Sequence, residues 1–94
     1  MIYLVLEVDV FGLPLKREGE LPEARWPVPL SHDLKQSLLD WNSRFGALVS
    51  AEHLYSPDDL AQQRKELNSE GEILLMKVKD KVGSLAKVTF LPEL

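Results

Sequence analysis

The chain has 94 residues, 45% of them hydrophobic and 28% charged, which fits one domain (1–94) with a single modest core and leaves no room for a second. A net charge of −4 argues against nucleic acid as the main ligand, because phosphate binding needs a concentrated basic surface; it is compatible with a basic partner, but a charge this small is more often an ordinary solubility feature. No cysteine is present to supply the disulfides on which small secreted domains rely, so the composition points to the cytosol.

The first segment alternates. Ile2, Leu4, Leu6, Val8 and Val10 fall on one face, and Tyr3, Val5, Glu7 and Asp9 on the other, which predicts a strand with one buried face. Met1 to Asp9 has no basic flank and no small-residue cleavage site, and is too short to span a membrane. Gly12 and Pro14 end this strand, and Lys16 to Glu20 reads as a polar turn. Between Leu21 and Leu30, the prolines at 22, 27 and 29 exclude helix and central strand. Trp26 and Val28 suit either a short edge strand or an extended arm laid over the core.

A helix begins at Ser31, a good N-cap followed by Asp33 in the first turn. Leu34, Leu38, Trp41, Phe45 and Leu48 form one apolar stripe. Gly46 is a candidate C-cap, although Ala47, Leu48 and Val49 would extend the helix by a turn. Ser56-Pro57-Asp58-Asp59 opens a second helix with a cap, a proline at the first helical position and two acids. Leu60, Arg64, Leu67, Gly71, Leu74 and Val78 trace its inner face, and Gly83 terminates it. Unbroken from Pro57 to Val82 it spans about 39 Å at 1.5 Å per residue, long enough to suggest a bend near Gly71. Ala86 to Leu91 alternates again and reads as a closing strand. The expected fold is α+β: a small sheet including the N- and C-terminal strands, with two helices packed on one face.

Motifs for chemistry are lacking. His32 and His53 have no partner at metal-ligand spacing. Ser31 and Ser56 are explained by capping, and the five glycines are too scattered to cradle a phosphate. Acids do pair (Glu7 with Asp9, Asp58 with Asp59, Glu70 with Glu72), yet a glycosidase needs its pair in a deep cleft, for which this chain has little volume. Gly71 costs about 1 kcal/mol relative to alanine in mid-helix, which close packing against Trp41 or the sheet would explain. Asn42 is placed to hold a buried contact, for example to the backbone of the irregular segment. Neither a catalytic residue, nor a metal site, nor a cofactor is expected.

The run from Leu30 to Phe45 has the form L-S-x-x-L-x-x-x-L-x-x-W-N-x-x-F, preceded by a proline-rich lead-in. A second block, Glu70-Gly71-Glu72-Ile73-Leu74 with Val78, precedes Val88-Thr89-Phe90. Together these blocks resemble small bacterial immunity proteins of contact-dependent growth inhibition and related polymorphic toxin systems; residues 1–28 fall outside the resemblance. It implies a cytosolic antidote that binds one cognate toxin domain, often a nuclease, and blocks it. An acidic surface would speed encounter with such a basic partner. The candidate toxin-binding acids are then Glu7, Asp9, Glu18, Glu20, Glu23, Asp58 and Asp59. Two alternatives stand beside this reading. One is a small structural or regulatory module that self-associates through a sheet edge; the other is a small enzyme using a carboxylate pair.

Overall fold

The computed structural model describes residues 2–9, 12–19 and 25–92. Strand β1 (Ile2–Leu6) forms the centre of a three-stranded sheet, with β2 (Leu15–Arg17) antiparallel on one side and β3 (Ala86–Phe90) parallel on the other. The two long helices, α1 (His32–Ser50) and α2 (Pro57–Val82), lie between β2 and β3 in the chain and supply the crossover that parallel neighbours require. The expected α+β architecture, with the terminal strands adjacent, is the one observed.

Alternation places the core. Leu4, Leu6, Leu15, Ala86 and Val88 point from the sheet to the helices and are buried, whereas Tyr3, Lys87 and Thr89 on the other face are exposed. The α1 stripe of Leu34, Leu38, Trp41, Phe45 and Leu48 is buried throughout. It meets Leu67, Leu74, Leu75, Val78 and Val82 of α2 in one continuous cluster. Burying each such side chain contributes about 1.5–3 kcal/mol. Among the described residues, no polar or charged side chain is buried.

Local chemistry accounts for the boundaries. The Ser31 hydroxyl accepts from the Leu34 N–H, and the Ser56 hydroxyl accepts from the Asp59 N–H with Pro57 in the first turn. Gly83 ends α2 at φ 56°, a positive backbone angle that favours glycine. Gly46 is no cap: the stripe continues through Leu48, and α1 runs on to Ser50. Helix α2 is continuous through Gly71.

Two expectations need correction, and one pair of alternatives is decided. The polar turn expected over 16–20 is in part strand β2, held by the pairing of Val5 with Lys16 and Leu6 with Leu15. The described part of its turn is Glu18 and Gly19, while Glu20 lies outside the described residues. Strand β1 stops at Leu6 instead of reaching Val10, which is also outside them; the backbone of Asp9 bonds instead to the side chain of Asn42. Trp26 and Val28 form no strand and are half-buried against the core, as an extended arm would be.

Candidate functional site

Two groups of the acids singled out in the sequence can be placed, and the fold does not bring them together. Glu7 and Asp9 follow β1, where Lys16 reaches both, at 3.8 Å from Glu7 and 2.8 Å from Asp9. Their charge is therefore partly compensated within the chain, and the Asp9 side chain is only 17% exposed. The loop beneath them is clamped by Asn42. Its Oδ1 accepts from the Asp9 N–H (2.9 Å), and its Nδ2 donates to the carbonyls of Asp9 (2.9 Å) and Gly12 (3.4 Å). The polar contact expected of Asn42 thus exists, but to the β1–β2 loop instead of the segment after Leu21. Glu18 is exposed next to β2, its N–H donating to the Tyr3 carbonyl. Glu20 and Glu23 lie outside the described residues.

Asp58 and Asp59 stand exposed in the first turn of α2. They begin the part of the molecule that extends past the sheet. From Val49 to Glu66 no residue is buried, where the end of α1, the connection and the start of α2 meet. The result is a helical hairpin tip on a molecule measuring 43 × 24 × 23 Å. Between Val49 and Glu70 there are five acids and two basic residues, a net −3 of the chain's −4. Apolar groups share this surface: Val49 is 50% exposed, Leu54 76% and Tyr55 40%. Leu54 and Tyr55 sit in and just after a 3₁₀ turn (Glu52–Leu54), which also carries His53, exposed.

A groove of about 530 Å³ runs between the helices at the base of this tip. Leu48 and Leu67 line it with Ala47 and Ala51, and Tyr55 stands at one end. Arg44, Glu66 and Glu70 form its rim. Arg44 is bound by Glu70 and lies 3.3 Å from Asp40. The hydrogen bond that Arg44 donates to Glu70 holds its guanidinium pKa above the ordinary value; partial burial opposes this, and the charges of Glu70 and Asp40 add to it. Across the tip, Arg64 pairs with Glu52 at 3.6 Å. Glu66 accepts from the Gln62 side-chain amide (3.2 Å) and pairs with no cation among the described residues.

This surface was not singled out by motif. Its signal in the sequence is modest: two apolar residues, Leu54 and Tyr55, in a short connection between strong helix signals. The apolar residues of the two resemblance blocks, among them Leu34, Leu38, Trp41, Phe45, Leu74, Val78 and Val88, pack instead into one internal cluster. Trp41 donates from Nε1 to the buried Leu67 carbonyl (2.8 Å) and packs edge-on against Phe45 and Phe90. Gly71 lies against both Phe90 and Trp41. They build the frame and leave the surface to other residues.

Among the described residues, no three His, Cys, Asp or Glu side chains converge as a metal site, and no helix is long and apolar enough to cross a membrane. No family model matches the sequence, and no curated protein or solved structure is similar to it.

Proposed function

We propose that this chain is a cytosolic immunity protein that binds the toxin domain of a contact-dependent growth inhibition system and blocks its active site by occlusion, with no chemistry of its own. The observation that carries the reading is the hairpin tip, where an acidic surface and exposed Val49, Leu54 and Tyr55 occur together. Apolar and aromatic anchors supply contact energy, while like-signed charges steer an oppositely charged partner. A basic nuclease domain is the partner that fits, because an enzyme that grips phosphate must present cations around its own site. A standard interface takes about 800 Å² per partner. That is a small part of the 6330 Å² accessible surface.

Self-association is the second reading, and the uncovered face of the sheet favours it: Tyr3 and Leu91 stand exposed there beside Lys87 and Thr89. Co-expression with the basic domain encoded by the adjacent gene separates the two. The lead reading expects protected growth and a one-to-one complex by light scattering. A homodimer that protects against no such domain would overturn it.

A further inference from the structure

The groove at the base of the tip has an occupant its chemistry can specify. We propose that it seats an arginine side chain of a basic protein partner, an inference that rests on the reading of the chain as a binder of such a partner. Leu48 and Leu67 offer an apolar floor for the methylene stem of a long cationic side chain. Tyr55 stands at one end of the groove, where a planar guanidinium can stack on its ring. Glu66 provides the charge. A carboxylate has about four lone-pair sites, and the Gln62 amide takes one of those on Glu66.

Arg44 does not defeat this. Its one positive charge is shared between Glu70 on the rim and Asp40 outside it, so the rim keeps two acids, Glu66 and Glu70, against one base, and Glu66 pairs with no cation among the described residues. The sign is decisive for the class of partner, since a phosphate backbone would be repelled by the same rim. Arginine is favoured over lysine because its fork matches a carboxylate in two parallel hydrogen bonds while its flat face stacks. A second cavity, of about 370 Å³, lacks this bias: Lys77 and Lys81 line it together with Asp33 and Asp80.

The test uses the full chain and a defined probe. Acetyl-Gly-Arg-Gly-amide is titrated against ¹⁵N-labelled protein, with the citrulline peptide as the neutral isostere. Saturable shifts centred on Tyr55, Glu66 and Leu67 are expected, with none from citrulline. The exposed, size-matched variant Glu66→Gln is expected to weaken binding at least threefold while leaving the rest of the spectrum in place. Equal response to the citrulline peptide, or undiminished binding by Glu66→Gln, overturns the proposal. Adding Tyr55→Ala to this variant separates the two levels of inference. Full neutralisation of a toxin domain by a Glu66→Gln, Tyr55→Ala double variant would refute the groove and leave the immunity reading standing. Arginine seated in the groove of a chain that protects against no toxin would refute the immunity reading and leave the groove.

Discussion

Gly71 and Phe90 touch so closely that a Cβ built on the glycine would lie 2.5 Å from the Phe90 Cζ, and 3.0 Å from Cζ2 of Trp41. The glycine in the middle of α2 is thereby explained. Its absent side chain lets the end of β3 and the indole of α1 meet on the helix backbone, which joins all three layers of contact at one point. The ring centroids of Trp41 and Phe90 are 6.0 Å apart at an interplanar angle of 61°, an edge-on geometry that favours the quadrupoles of both.

Gly71→Ala is therefore expected to destabilise the fold although alanine is the better helix former. The propensity gain is about 1 kcal/mol, and overpacking of a tight contact costs about 1–3 kcal/mol. Urea denaturation should show a net loss of about 1 kcal/mol. Phe90→Leu in the same chain should recover part of it. A higher midpoint for the single variant would contradict the packing argument.

Asn42→Ala removes three hydrogen bonds from the β1–β2 loop and leaves the Asp9 N–H without its acceptor. Stranding partly buried backbone groups costs about 1–3 kcal/mol. The fingerprint is local: faster amide exchange at Asp9, with the Trp41 indole N–H still protected by the Leu67 carbonyl. Uniformly faster exchange would show that Asn42 supports the whole core.

The helices were legible because each carries its instructions locally. Ser31 and Ser56 cap, Pro57 starts, Gly83 stops, and the stripe from Leu34 to Leu48 states which side is inside. Strand β2 escaped because three residues are too few for a period, and two of them, Lys16 and Arg17, are charged. Its pairing is decided by β1, not by its own sequence. Gly46 misled for a related reason: a lone glycine does not end a helix whose buried face continues. The tip was illegible as a site because it depends on both helices outrunning the sheet. That follows from their lengths together, not from any motif. Of the acids chosen from the sequence that lie among the described residues, only Asp58 and Asp59 are on it. Glu7 and Asp9 face Lys16 instead.

Lys16→Gln tests whether that second acidic group matters. Partly exposed ion pairs are worth about 0–1 kcal/mol, so stability should change by less than about 1 kcal/mol. If the tip is the binding surface, the affinity for a basic toxin domain should stay within twofold of the unmodified chain. A large gain on unmasking Glu7 and Asp9 would move the interface to the sheet end.

Asp58→Asn with Asp59→Asn should slow association with such a domain several-fold at low salt and flatten its ionic-strength dependence, since steering acts on the encounter. Each acid also favours the start of α2 by about 0.3–1 kcal/mol, so a small drop in thermal midpoint should accompany the kinetic effect. An unchanged association rate would remove these residues from the partner-facing surface.

The most direct measurement is the activity of the adjacent-gene toxin domain titrated with the purified chain. Activity should fall to background at one equivalent, and a chain with both Leu54→Asp and Tyr55→Asp, folded by circular dichroism, should fail to suppress it. A toxin domain that stays fully active in excess of the intact chain would contradict the immunity reading. Suppression unaffected by the two tip substitutions would contradict the surface assigned to it.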